Sequence, residues 1–230
     1  YAPDIEGHTR YEWPVEVLDL EDLALVSEWT DVSQGLVVGQ SVTASRPQYF
    51  ADDGGYPSVQ FDGGDDFLEG VASAIDSSNG LTIFVVGRFL SYIKNSGPLA
   101  LDTGLFGQAD DRYQLYSSLD DGGTGHNFVS LANRQASVEF LASGTSDYTI
   151  GADHMVTALM WDGSDGLYSG RTQVDAVSTG AGSLAPANDF TRVVFGQGFN
   201  SIGGNYAMRA VVIYEGQLDT AEIASVWDSL

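Results

Sequence analysis

Short apolar runs separated by glycine and aspartate dominate the chain. Residues 81–89, LTIFVVGRF, form the longest of them. An unbroken apolar stretch of that length predicts a central strand covered on both faces. Residues 154–161 (HMVTALMW) and 206–214 (YAMRAVVIY) predict two more buried strands. Alternation marks half-buried strands at 59–61 and 112–119, and shorter ones are predicted at 25–29, 35–38, 167–174 and 192–195, with weaker strands within 97–106. Residues 46–50 are extended, because the residue before Pro47 avoids the helical region. Residues 127–131 and 137–141 read as a hairpin around Asn133, Arg134 and Gln135.

The breaks are as informative as the runs. A turn is predicted at 52–56, and acidic glycine turns at 62–66 (DGGDD), 120–125 (DDGGTG) and 162–166 (DGSDG). Aspartate bonds its own backbone there, and glycine supplies positive φ without steric cost. The turns are unevenly spaced, which excludes a calcium-binding nonapeptide repeat. Helical periodicity is convincing only at 219–230. Asp219 with Glu222 three residues on makes a capping box, and Ile223, Val226, Trp227 and Leu230 form one apolar stripe. Many short strands and a single terminal helix predict an all-β fold, a two-sheet antiparallel sandwich with one C-terminal helix. Residues 1–23, acidic and broken by Pro3 and Pro14, read as an N-terminal extended arm with a short helical turn near 18–23. Residues 24–230 make up the domain. On a strand, Asp4, Glu6 and His8 would share a face, but an exposed arm is the simpler reading.

Several segments carry a family likeness in their order. They are Trp29-x-Asp31-x-Ser33, Arg46-Pro47-x-Tyr49, Pro57-x-Val59-x-Phe61-Asp62-Gly63 and the strand 82–87. Later come 192–196, 210–216 and Leu218-Asp219-x-Ala221-Glu222-Ile223. Over roughly residues 24–230 the chain resembles the concanavalin A-like, laminin G-like (LamG) jelly rolls of bacterial and viral surface proteins. The resemblance implies two packed antiparallel sheets of about six or seven strands each, linked as a jelly roll. Members are mostly glycan-binding or adhesion modules, many with a calcium ion, and some relatives are glycanases or polysaccharide lyases.

Charge narrows the partners. The chain carries 32 acidic and 9 basic side chains, with Lys94 as its only lysine, for a net charge of −23. Nucleic acid and anionic membrane surfaces would be repelled. The acidity suits solubility in a salty setting, calcium loading or a cationic partner. Cysteine is absent, so neither disulfides nor thiolate chemistry is available. No apolar run is long enough to cross a membrane as a helix, and no N-x-S/T acceptor occurs. The chain starts at Tyr1 rather than Met, which reads as a mature or excised piece.

The paired carboxylates of a sandwich glycosidase, E-x-D-x-E on one strand face, are missing. Asp4/Glu6 and Asp19/Glu21 fall in the arm, and Glu139 stands alone in its strand as a solvent-facing residue. No nucleophile elbow and no zinc-binding histidine pair is present; His8, His126 and His154 are scattered. No catalytic residue is therefore assigned. Three carboxylates in one glycine-bent turn, Asp62, Asp65 and Asp66, form the candidate metal site, for calcium. A solvated Asx turn is the alternative there. Loop aromatics and amides, Tyr56, Tyr168, Phe199, Asn200 and Asn205, are the candidate glycan-binding residues. Trp29, Trp161 and Trp227 read as core, and Trp13 as a cover for a sheet edge or a contact with a neighbouring subunit.

Three functions follow as expectations. The first is a non-catalytic extracellular, cell-surface or virion-surface module that binds polysaccharide or cell-surface glycan, with calcium assisting. The second is a structural virion protein, a capsid decoration or appendage subunit from a marine or halophilic virus, partnered by other virion proteins or its own copies. The third is a polysaccharide-cleaving hydrolase or lyase.

Overall fold

In the computed structural model, residues 1–71, 75–76, 78–91, 99–102, 112–119, 127–135, 138–143, 155–161, 167–171, 178–181, 191–197 and 205–230 are described. Among them are sixteen strands, numbered in chain order, and one α-helix, α1 (Thr220–Ser229). One sheet contains β1 (Arg10–Pro14), β4 (Gln48–Phe50), β5 (Ser58–Asp62), β7 (Leu81–Phe89), β12 (Met155–Trp161), β13 (Leu167–Arg171), β14 (Ser178–Ala181) and β16 (Asn205–Glu215). Its order is β14-β13-β12-β7-β16-β5-β4, with β1 also paired to β16. The other contains β2 (Glu28–Thr30), β3 (Val37–Gly39), β6 (Leu68–Val71), β8 (Leu99–Asp102), β9 (Arg112–Leu119), β10 (Asn127–Gln135), β11 (Val138–Ser143) and β15 (Arg192–Phe195), in the order β11-β10-β9-β8-β15-β6-β3-β2. Every pairing is antiparallel. The all-β sandwich with a C-terminal helix is therefore as the sequence predicts. Each sheet has eight strands, against the six or seven implied by the resemblance.

The core lies between the two sheets. Val59, Phe61, Ile83, Val85, Tyr206, Met208, Val211 and Ile213 face Trp29, Val38, Leu68, Leu99, Val193 and Phe195. Phe195 is the meeting point, with Trp13 edge-on at 5.3 Å and Trp29 at 5.8 Å. Close approach there requires glycine at 196, whose φ is +83° and whose Cβ would collide with the Phe61 ring.

Residues 1–23 do more than extend. Residues Arg10 to Pro14 pair in register with Tyr214 to Ala210, so the first strand is laid against the last. Tyr11, Trp13 and Val15 enter the core, and Trp13 is fully buried. The expectation of Trp13 as an edge cover or subunit contact is corrected by this placement. Burying an indole between two sheets stabilises by several kcal/mol, roughly 3–5 by the cost of truncation, which outweighs any tendency of an acidic arm to stay in solvent. The predicted helical turn falls earlier, as a 3-10 turn at Val15–Val17. Asp31, part of the family signature, secures the arrangement. Its carboxylate accepts from Glu12 N at 2.5 Å and from Ser33 N at 3.0 Å, fastening β1 to the turn after β2.

The hairpin expected around Asn133 to Gln135 runs further. The β10–β11 pairing continues to Gln135 opposite Val138, so those three residues belong to the strand. Asparagine and arginine weaken a strand without breaking it when flanking residues pair well.

Helix α1 lies on the outer face of the β16 sheet. Asp219 Oδ1 accepts from Ala221 N and Glu222 N, and Glu222 Oε2 accepts from Asp219 N at 2.7 Å, completing the expected capping box. Val226, Ile223, Trp227 and Leu230 cover Phe84, Val212 and Tyr214, joined by Ala2 and Ile5 from the start of the chain. Tyr214 donates to Pro3 O at 2.7 Å. Both ends of the chain thus close over the same face.

Candidate functional site

Two places bring chemistry-bearing side chains together. The first is the expected turn after β5. Gly63 takes φ +80°, folding the chain so that one oxygen from each of Asp62, Asp65 and Asp66 lies within 4.8 Å of the others. Two ligands of one calcium ion at 2.3–2.6 Å are at most about 5 Å apart, so these donors fit a shared hard cation. Each carboxylate also serves the turn. Asp62 Oδ1 accepts from Gly64 N at 2.7 Å, Asp65 Oδ2 from the Ser45 hydroxyl at 2.7 Å, and Asp66 Oδ2 from Asp62 N at 3.1 Å. Asp66 is buried. Burial, with the Asp62 and Asp65 charges beside it, pushes its carboxyl up to about 6, against the bond from Asp62 N. The residues predicted for this site are therefore together, with both an Asx-turn role and a cation-compatible geometry.

The second place is a pocket on the outer face of the β16 sheet beside α1. Its origin is one extra residue. Along β16, Tyr206 and Met208 point into the core, and so do Val211 and Ile213. The register against β7 shifts between Met208 and Ala210, a β-bulge that sets Arg209 and Ala210 side by side in the pocket lining. The same point divides the other edge of β16. Residues Asn205 to Met208 pair with β5, and Ala210 to Tyr214 pair with β1.

A buried charge needs partners, and the turn at 52–56 supplies them. Arg209 Nη2 donates to Asp53 O at 3.0 Å, and its guanidinium lies 4.3 Å over the Tyr56 ring. The Asp53 carboxylate is held by an ion pair with Arg88 and by the Ser58 hydroxyl at 3.0 Å. Asp53 N donates to Tyr56 O at 2.7 Å, and Gly55 N to Asp52 Oδ1 at 2.8 Å. Desolvation, with Arg88 nearby, lowers the Arg209 pKa, while Asp53 opposes the shift; a guanidinium stays charged. Tyr56 is thus fixed from beneath by Arg209, yet 57% of it is exposed.

Around this pair the pocket encloses about 540 Å³, with Val86, Ala210 and Pro14 from the sheet, Trp227 and Leu230 from the C-terminal end, and Glu12 and Glu16. Glu12 is buried: Oε1 accepts from Ala2 N at 2.8 Å, and Oε2 faces Arg10 at 3.4 Å. Glu16 is exposed. Aromatic surface beside a few fixed polar groups is the usual composition of a small-ligand site.

Of the predicted glycan-binding residues, Tyr56 lines this pocket. Asn205 lies at the other end of β5, paired with Asp62, and donates to the Ser91 hydroxyl at 2.8 Å. Tyr168 belongs to β13, opposite Trp161 and Gly180; Phe199 and Asn200 lie outside the described residues, as do His126, His154 and the turns at 120–125 and 162–166. Tyr56 and Asn205 do not meet in one site. Glu139 is paired with Arg134 across β10 and β11. Asp4, Glu6 and His8 are not gathered: Asp4 pairs with Arg10 at 3.2 Å, and His8 Nδ1 lies 2.7 Å from Glu215 O. Among the described residues, Asp62, Asp65 and Asp66 are the one carboxylate and histidine group close enough for a shared metal. Arg209, Glu12, Glu16 and Trp227 were not anticipated as site residues. One signal for Arg209 was present: a single cation inside an otherwise apolar strand, where the alternation skips.

Solved structures place the fold. A comparison of the sequence with protein-family models and with curated proteins gives no match. Domain 4 of a GH43 extracellular arabinanase from Geobacillus stearothermophilus, in complex with arabinotriose, matches with a TM-score of 0.62 at 11% identity, over 90% of this chain and 99% of that one. Trypanosoma rangeli sialidase matches with a TM-score of 0.60 at 12% identity, over 96% of this chain and 33% of the sialidase. The chain thus spans about a third of that enzyme. The CBM40 of Ruminococcus gnavus IT-sialidase, bound to alpha2,3 sialyllactose, matches with a TM-score of 0.51 at 14% identity, over 64% of this chain and 82% of that one. The chain has the fold of β-sandwich domains found in carbohydrate-binding and glycosidase-related proteins. Among the described residues, no helix is long and apolar enough to cross a membrane.

Proposed function

We propose that this chain is a non-catalytic glycan-binding module of the LamG-like kind, acting outside the cell or on a cell or virion surface. The observation that carries this reading is the pocket in which Tyr56, clamped by Arg209, keeps an exposed ring beside Glu16 and Trp227. A sugar presents an apolar C–H face and a rim of hydroxyls, which suits an aromatic platform flanked by charged acceptors and donors. A match over 99% of an arabinanase domain complexed with arabinotriose supports the same reading at the level of architecture. The setting of the buried pocket carboxylate supports binding rather than cleavage. Glu12 Oε1 accepts from Ala2 N and the carboxylate is ion-paired with Arg10, which suits it to holding β1 in place.

Calcium at Asp62, Asp65 and Asp66 is proposed alongside as a stabiliser of the β5–β6 turn. In that role it would be held by carboxylates that already converge, and it supplies charge neutralisation rather than chemistry. The test of the main reading is affinity electrophoresis against soluble plant, algal and bacterial polysaccharides, with reducing-end release followed in parallel. Retardation without sugar release is expected. Release of reducing ends would replace the reading with a glycanase. Silence together with stable homo-oligomers on sizing would replace it with a structural virion subunit.

A further inference from the structure

We infer that the Tyr56–Arg209 pocket is the sugar subsite and that it takes an uncharged sugar residue while rejecting carboxylated ones such as sialic or uronic acids. This rests on the glycan-binding reading and adds the substrate class. Among the lining side chains, Arg209 is the sole cation, and two carboxylates, Glu12 and Glu16, stand against it. The guanidinium is committed on one side and over one face. One of its N–H groups goes to Asp53 O, and its plane lies on Tyr56. A fork already turned to a backbone carbonyl and an aromatic ring is poorly placed to clamp a second carboxylate side-on. Glu12 adds little negative field, because Arg10 lies at 3.4 Å from it. Glu16 is exposed at the rim, and the chain as a whole carries a net charge of −23. An anionic sugar would bring like charge into this field, with Arg209, turned to Asp53 O and Tyr56, as the one basic side chain in the lining. A neutral sugar would stack on the exposed Tyr56 ring and donate hydrogen bonds from its hydroxyls to Glu16. The CBM40 neighbour, similar in fold, is bound to alpha2,3 sialyllactose, so the fold by itself does not set the charge of the sugar taken.

Titration calorimetry of the full chain against two probe sets tests the idea. One set holds neutral arabino-, xylo- and gluco-oligosaccharides; the other holds sialyllactose and oligogalacturonides. Binding of at least one neutral probe and none of the acidic ones is expected. Tyr56→Ala should weaken the neutral probe by about tenfold or more, the loss of one stacking platform. Because that substitution also uncovers Arg209, the exposed rim offers an independent variant. Glu16→Lys should leave the fold unchanged, weaken neutral binding several-fold, and bring sialyllactose or oligogalacturonide binding into range. Wild-type preference for an acidic probe would overturn the charge inference while keeping glycan binding. Neutral binding untouched by both variants would overturn the location. Silence toward both sets would overturn the glycan-binding reading itself, and the inference with it.

Discussion

The acidic turn and the outer-face pocket are built in opposite ways. At Asp62, Asp65 and Asp66 the charges are local in sequence, meet at a glycine turn and are uncompensated by any basic side chain in their hydrogen bonds. At the pocket, Asp53 with Tyr56, Arg209, Glu12 and Trp227 come from four separate segments; Arg209, Asp53 and Tyr56 are tied together by a backbone bond and a ring, and Asp53 is ion-paired with Arg88. The first gains stability by receiving something: a proton, or a cation. The second is complete before any ligand arrives. Unsatisfied local charge points to regulation by solution conditions, and a preorganised assembly points to recognition.

Substitutions can break the contrast. The largest effect is expected from Asp53→Ala, which removes the buried carboxylate ion-paired with Arg88 and the acceptor for Ser58. A loss of about 3 kcal/mol is expected, read as a lower urea midpoint, together with loss of glycan binding. A cost under about 1 kcal/mol would show that the assembly is not preorganised by this ion pair.

Calcium comes next. With the ion at 100 times its dissociation constant, a gain of about 2.7 kcal/mol is expected, read as a higher melting temperature that EDTA reverses and Asp62→Asn abolishes. An unchanged melting temperature in calcium would leave the turn with its Asx role alone.

A smaller effect belongs to Asp66. Its carboxyl is raised to about 6 in the folded chain, mainly by burial. A raised carboxyl stabilises the folded state below the unfolded value near 4, and that contribution is lost as pH rises from about 4 through 6. Asp66→Asn should therefore stabilise the metal-free protein by about 1 kcal/mol at pH 7.5, after allowance for solvent screening, and by almost nothing at pH 3.5. Equal effects at the two pH values would contradict the burial of that charge.

The smallest is Ser45→Ala, which removes an exposed bond to Asp65. A change of about 0.5 kcal/mol or less is expected in chemical denaturation, and a larger one would mean that the turn is more rigid than its exposure indicates.

How legible each region was follows from the same contrast. The acidic turn, the capping box at Asp219 and the run Leu81–Phe89 are written in neighbouring residues, and periodicity or composition exposes them. The pocket depends on which strands lie side by side. Nothing local announces that Glu12 and Trp227 line one cavity, or that β16 is shared between β5 and β1. Trp13 was misplaced for a related reason. An acidic segment with two prolines looks detached until the apolar positions Tyr11, Trp13 and Val15 are given a partner, and that partner lies some 200 residues away. The strand with a single arginine was the readable hint, since a cation among eight buried neighbours of one strand demands a reason.

The pairing of β1 with β16 also has a kinetic consequence. On a chain made from its N-terminus, Trp13 and its strand must wait until some 200 further residues exist before their partner is present. Closing so long a loop is slow, and an early apolar strand with an open edge is prone to self-association in the interval. Completion of the ligand pocket and burial of that strand are then one late event, so the capacity to bind would report that folding has finished.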